Sequence, residues 1–224
     1  MNRVLAALII AFQCFTSFSQ DGPKVVVFNQ SEQDEVTNTV QNLFKISVLE
    51  PLSGDISLYY ERVLGANISA EAGLGFTIDD YFGSILFEDE FSTVYDDRTP
   101  LIGHSFALGF RYYPFIAADE IYFAPEFKYR YYHSEQVVSP GTTAMQTNHE
   151  YKKMSNFRIT VGYNYFFDDN VFIDFYGGVG LAMFKYGGYN SVYDSQTDMY
   201  TYQFSEVKRP RPWLTLGIKF GFGI

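Results

Sequence analysis

The feature that constrains this chain most is an alternation of side chains with a period of two, sustained over many segments. From residue 67, Ile68, Ala70, Ala72, Leu74 and Phe76 fall on one side, and Asn67, Ser69, Glu71, Gly73 and Gly75 on the other. The same period places Phe106, Leu108, Phe110 and Tyr112 against Ser105, Ala107, Gly109 and Arg111. It recurs with Phe157, Ile159, Val161, Tyr163 and Tyr165 against Arg158, Thr160, Gly162 and Asn164. It returns with Leu214, Leu216, Ile218, Phe220 and Phe222 against Thr215, Gly217, Lys219 and Gly221. Successive side chains of an extended chain point to opposite sides, so these segments are strands with one apolar and one polar face.

Eight strands are predicted, over 43–50, 55–64, 67–78, 104–114, 120–133, 155–167, 171–184 and 213–223. Most are longer than the ~5–6 residues of soluble sheets and match the ~9–11 that cross a bilayer at a tilt. Pro125 lies inside the fifth and cannot donate to a ladder, which predicts a bulge or an early break. The connections alternate. Gly65–Ala66, 115–119 and 168–170 are short, whereas 79–103, 134–154 and 185–212 are long; only the first turn, 51–54, is shorter than its place demands. Outer-membrane barrels have short periplasmic turns and longer extracellular loops. With both ends periplasmic, every short turn of that set falls on the periplasmic side.

Charge follows the same parity. The polar faces carry Lys45, Asp55, Glu61, Glu71, Arg111, Glu126, Lys128, Arg130, Arg158, Asp174 and Lys219, six positive and five negative. The apolar faces carry only Glu50 and Arg62, both beside turns. Charge on a lipid-facing midplane costs about 2–4 kcal/mol per Lys or Arg, so this distribution suits a barrel in a membrane. Parity alone also suits a soluble sandwich with its polar face outward.

The N-terminal region separates the two. Arg3 is followed by an apolar run from Val4 to Phe12, then Ser17 and Ser19 before Gln20, the three regions of a secretory signal peptide. Residues 1–19 are read as that signal, 20–41 as a periplasmic lead and 42–224 as the barrel. The lead holds one apolar run, Val25 to Phe28, and an extra strand there would give ten strands. No apolar stretch reaches the ~20 residues of a membrane helix. A membrane protein without such helices must be a closed barrel, because each backbone group in hydrocarbon needs a partner. Loss of Cys14 with the signal removes the chain's one cysteine, and with it any disulfide.

Composition agrees. The chain is 19% aromatic, with 23 Phe and 19 Tyr but one Trp, which favours strands meeting an apolar or interfacial medium. A net charge of −10 argues against nucleic-acid binding, for which a basic stripe is expected.

The last strand reads Thr215–Leu216–Gly217–Ile218–Lys219–Phe220–Gly221–Phe222. It resembles the assembly signal of bacterial outer-membrane barrels, with the match on Thr215, Gly217, Phe220 and Phe222, but continues to Gly223–Ile224 where the pattern stops at an aromatic. The chain from about residue 42 resembles the small outer-membrane β-barrels of the OmpA/OmpX size class. Its first hairpin, from Lys45–Ile46–Ser47 to Tyr60–Glu61–Arg62, is similar to the opening of many Bacteroidota members. The resemblance implies an all-β fold, an eight-stranded antiparallel transmembrane β-barrel in the outer membrane, inserted with the help of barrel-assembly machinery and surrounded by lipid. It does not choose a function, since members include anchors, adhesins, narrow channels and lipid-modifying enzymes.

Candidate chemistry is sparse. His104–Ser105 and His133–Ser134–Glu135 invite comparison with barrel lipid A deacylases, but strand neighbours point to opposite faces, and His133–Ser134 reads as the mouth of a loop. Loop 79–103 holds Asp79, Asp80, Glu88, Asp89, Glu90, Asp96 and Asp97 against Arg98, with no calcium-loop spacing, and reads as a solvated acidic loop. The strand glycines precede no helix and no Gly-Lys-Ser/Thr, so they make no phosphate loop and instead leave room for bulky lumen side chains. No catalytic residue, metal or cofactor is expected. The expected site is a salt-bridged lumen of Lys45, Glu61, Glu71, Arg111, Glu126, Lys128, Arg130, Arg158, Asp174 and Lys219, in a monomer whose role is structural or surface-interacting. A narrow channel for small or apolar solutes and a lipid-modifying enzyme are the alternatives.

Overall fold

The structure, a computed structural model, describes residues 40–80, 98–115, 117–138, 146–195 and 199–224. The signal segment, almost all of the lead and most of the acidic loop lie outside the described residues. Within them the chain forms eight antiparallel strands, each bonded to the next, and β1 also pairs with β8 to close a barrel. The strands are β1 (Asn42–Ser47), β2 (Asp55–Val63), β3 (Ile68–Thr77), β4 (Arg98–Tyr112), β5 (Glu120–Val138), β6 (Gln146–Phe166), β7 (Val171–Asp194) and β8 (Met199–Gly223).

Closure runs inside out relative to a soluble protein. Charged and hydroxyl side chains are buried in the lumen, while the large apolar ones line the exterior, with Leu214 75% and Leu216 82% exposed. The bulky apolar members of each alternating pair take the convex side, and most strand glycines take the concave side, where neighbours crowd, whereas Gly177 and Gly187 stand on the outward face beside Leu216 and Tyr151. Leaving such an exterior in water would forfeit the transfer energy of dozens of apolar side chains, so hydrocarbon is its matching medium. The fold is a transmembrane β-barrel.

The barrel is not of even height. β1 to β3 have 6, 9 and 10 residues, whereas β5 to β8 have 19, 21, 24 and 25. The expected long loops 134–154 and 185–212 are therefore mostly strand. Tyr, Phe, Val and Thr in these stretches prolong the ladders well past the apolar band, as tall hairpins on one side. Among the described residues, β8 beyond its Lys219 pairing with β1 has β7 on one side only, apart from the Val48 N–H donated to the Ile218 carbonyl. That bond shows that even-numbered backbone groups of β8 face the β1 side. Pro210 and Pro212 thus place their missing N–H groups on the unshared edge, where a proline interrupts no ladder.

The expected break at Pro125 does not occur. Pro125 pairs with Ile159 in an unbroken β5–β6 register, and the register shift of β4 against β5 falls instead between Leu101 and His104. The pairing of β4 with β5 holds one register through the proline, with partners at Gly109–Glu126 and Tyr112–Phe123 on either side. A local gap in one ladder costs less than re-aiming a strand whose every inward residue is placed by register.

The first strand also ends earlier than expected. β1 stops at Ser47, and Glu50–Ser53 forms a 3-10 turn with Pro51 at its start, closed by Gly54 at φ +67°. That backbone is left-handed, and an added Cβ on Gly54 would lie 1.7 Å from the Asp79 carbonyl oxygen. Gly54 thus lets the first turn fold over the barrel mouth beneath the start of the β3–β4 connection. Replacing it with alanine combines a left-handed backbone penalty of about 1–2 kcal/mol with a backbone collision. Gly54→Ala is expected to lower the urea midpoint of the barrel in detergent clearly, whereas Gly65→Ala, with open space around it, should leave it nearly unchanged.

Candidate functional site, a neutral ion lattice in the lumen

Parity along each strand delivers the charges inward, and the register brings them into two layers. In the layer nearer the short turns, Lys45 from β1 pairs with Glu61 of β2, with Glu71 of β3 at 3.0 Å and with Asp174 of β7 at 3.3 Å. Arg111 from β4 reaches Asp174 at 2.9 Å, Glu71 at 2.5 Å and Glu61 at 3.4 Å, and Lys219 from β8 reaches Glu71 at 2.5 Å. Three cations thus face three carboxylates across the full diameter of the barrel. Tyrosines take up spare acceptor positions: Tyr113 donates to Glu61 at 2.6 Å and Tyr122 to Asp174 at 2.7 Å.

In the layer nearer the tall hairpins, Lys128 of β5 meets Glu50 at 2.6 Å and Asp55 of β2 at 2.8 Å. Arg130 donates to Asp55 at 2.7 Å, and Arg158 of β6 pairs with Glu126 and donates to Thr215 at 2.9 Å. Ser57 and Ser105 each donate to Asp55 at 2.6 Å. Between the layers lie Tyr59 and Tyr176, with the Lys219 ammonium 3.7 Å from the centre of the first ring and 5.0 Å from that of the second. These rings fit only because glycine stands beside each. A Cβ on Gly73 would lie 2.6 Å from the Tyr59 ring, and one on Gly217 would lie 2.0 Å from that of Tyr176.

Glu50 is the correction that completes the lattice. Strand parity puts it on the lipid face, but the Glu50–Ser53 turn carries the chain inward, leaving Glu50 buried with Tyr59 donating to it at 2.8 Å. Six anions (Glu50, Asp55, Glu61, Glu71, Glu126 and Asp174) then face six cations (Lys45, Arg111, Lys128, Arg130, Arg158 and Lys219), every one of them buried. The signal for it was Pro51, which ends a strand more readily than it continues one. The lumen tyrosines were also overlooked, although Tyr59, Tyr122 and Tyr176 share parity with the charges beside them.

Both mouths are covered. At the first-turn end, Tyr132 donates to the Ser53 carbonyl at 3.0 Å, fixing the turn across to β5. Above it, Lys152 pairs with Asp80 at 2.8 Å, and Arg98 with Glu150 at 2.9 Å, so two residues of the predicted acidic loop region join the wall instead of solvent. At the short-turn end, buried Val40, Leu43, Ala118 and Phe172 pack into an apolar plug. Ala118 is held there at φ +66° by the Asn164 amide, which donates to its carbonyl at 3.0 Å.

The remaining candidates separate. His104 points outward against Tyr131, its ring 5.2 Å away, while Ser105 points inward to Asp55. His133 stacks outward on Tyr131 while Ser134 is buried on the opposite face, and both belong to β5, not to a loop mouth. Among the described residues no group of His, Cys, Asp and Glu could hold a metal ion. Thr215 and Gly217 of the C-terminal motif serve the lumen, whereas Phe220 and Phe222 face outward, each about half exposed.

No family model matches the chain, and no curated protein matches it either. Among solved structures the fold is similar to the translocator domain of the autotransporter NalP from Neisseria meningitidis, at 14% identity and a TM-score of 0.41 over 81% of this chain. The chain spans 60% of the length of that domain. It is also similar to a major outer membrane protein from Thermus thermophilus, at 12% identity and a TM-score of 0.44, over 83% of this chain and 98% of that one.

Removing one ion from a buried neutral set leaves an opposite charge uncompensated, at a cost of about 3–5 kcal/mol. Arg111→Ala should therefore strongly lower the urea midpoint of the vesicle-inserted protein. Arg111→Ala combined with Glu71→Ala restores neutrality and should recover a substantial part of the loss, a non-additivity that a double-mutant cycle reads directly.

Proposed function

We propose that the chain is a monomeric outer-membrane β-barrel whose packed lumen carries no solute, and that its role is structural or surface-interacting through the end bearing the tall hairpins. The observation that carries this reading is the lumen itself. Eight strands give an interior about wide enough for side chains to fill, and here it is filled by a neutral lattice, crossed by the Glu50–Ser53 turn at one mouth and packed with apolar side chains at the other. A narrow channel needs a continuous wet path, which six cations and six anions locked on one another do not provide. A lipid-modifying enzyme needs a nucleophile within reach of an oriented base, and His104 and His133 point away from their neighbouring serines.

In this reading the short turns face the periplasm and the hairpins of β5 to β8 rise from the cell surface. The signal segment delivers the chain for export, and Thr215, Gly217, Phe220 and Phe222 present the closing strand to the assembly machinery. A rigid barrel keeps the hairpins at a fixed height and angle above the lipid.

Two measurements test this. In a Cys14→Ser background, His149→Cys should react with a membrane-impermeant maleimide on intact cells, and Asp169→Cys only after the outer membrane is opened. In planar bilayers the wild-type protein should give no steady conductance steps. Reproducible steps that change with Arg111→Ala or Arg158→Ala would favour the channel instead.

A further inference from the structure

The exterior of the tall wall carries a pattern that neither lumen nor fold explains. Cross-strand partners on its outward face form rows, and the lower rows are apolar, such as Leu108, Phe127, Phe157, Leu181 and Pro212. The next row runs Phe106, Tyr129, Ser155, Met183 and Pro210, and the one after it His104, Tyr131, Lys153, Lys185 and Lys208. Three lysines therefore stand directly opposite one another on three neighbouring strands, in the first row where the apolar band gives way to charge. The height agrees. On β6 the outward residues from Tyr165 to Ser155 span about 33 Å along the strand, or ~25 Å across a bilayer at a tilt of ~40°.

Like charges directly opposite each other on a sheet are destabilising. Among the described residues one carboxylate serves the row: Glu206 pairs with Lys185 at 2.8 Å, accepts the Tyr151 hydroxyl at 2.7 Å and also lies in the field of Lys208. Lys153 has only tyrosine faces near it, with its ammonium 4.8 Å from the Tyr151 ring centre and 5.5 Å from that of Tyr131. Among the described residues neither Lys153 nor Lys208 has a carboxylate within ion-pair distance. The geometry points to an anionic occupant shared along the row: the phosphate-bearing headgroups of outer-leaflet lipid. A lipid, rather than a free anion, fits because Ser155, Met183 and Pro210 lie directly beneath the three lysines in one row with Phe106 and Tyr129, and the row below that is wholly apolar, where acyl chains would begin. The row thus fixes the depth and orientation of the tall wall by binding headgroup phosphate.

This inference rests on the membrane reading above, and the test keeps the two apart. The full chain is inserted into vesicles of equal parts phosphatidylglycerol and phosphatidylcholine, and retained lipid is counted by native mass spectrometry, with heat-modifiable migration as the check of folding. Wild-type protein should retain the anionic lipid in excess. Each lysine removed should reduce that excess about fivefold, so that Lys153→Gln, Lys185→Gln and Lys208→Gln together abolish it. Arg62→Gln, an outward charge at the other end of the barrel, should leave it unchanged. A folded triple variant with wild-type lipid preference would overturn the lysine row and leave the membrane reading standing. Failure of both proteins to insert would overturn the membrane reading itself. Loss of the preference on adding inorganic phosphate equal to the lipid phosphate would show a free-anion site and overturn the assignment to lipid.

Discussion

The structure depends on electroneutrality among ions buried in the lumen, away from bulk solvent and from lipid. Each lumen ion would on its own cost several kcal/mol to desolvate. That cost is offset only when carboxylate, guanidinium, ammonium and phenol all arrive together. Lys45, Arg111 and Lys219 reach carboxylates on strands from opposite sides of the barrel. The lattice therefore ties non-neighbouring strands in the way an apolar core does in a soluble domain. It also disfavours a slipped register, since a shift of one residue would turn every charge toward lipid.

The same requirement explains the unusual first turn. A conventional hairpin between β1 and β2 would leave the upper layer with three cations, Lys128, Arg130 and Arg158, against two anions, Asp55 and Glu126. Ending β1 at Ser47 and bending the chain inward at Pro51 supplies the third anion, Glu50, and covers the mouth in one step. Gly54 then returns the chain to β2 through a left-handed backbone that other residues resist. A short turn on the side where long connections are expected is thus a structural element of the lumen.

Much of the fold was legible in the sequence because a period of two is a local property. Ile68 to Phe76, Phe157 to Tyr165 and Leu214 to Phe222 display it without reference to any partner strand. Strand ends were less legible. The stretches 134–138, 146–154 and 199–212 lack the apolar face that marks a membrane strand, yet they continue as strands because an existing ladder extends more easily than a new one begins. Pro125 misled in the opposite sense, since β5 is paired on both sides and a gap of two residues in its ladder with β4 leaves the register before and after it unchanged. Within the site, parity marks the charges on each strand, but the grouping into two neutral layers depends on cross-strand register. Glu50 depends on a change of direction that parity cannot register.

By itself, then, the sequence determined the alternation, the segregation of charge from bulk on each strand and the near cancellation of strand charge. These follow from the extended backbone and the identity of each side chain. The tertiary structure established what strand parity leaves open, which face is inside, because a two-faced strand suits either a sandwich or a barrel until the sheet closes on itself. Closure sent the charges inward, set Tyr59 and Tyr176 beside Gly73 and Gly217, and brought Glu50 to Lys128. It also aligned Lys153, Lys185 and Lys208, residues far apart in the chain, on one outward row. Such neighbours are fixed by register and curvature, which no single segment encodes.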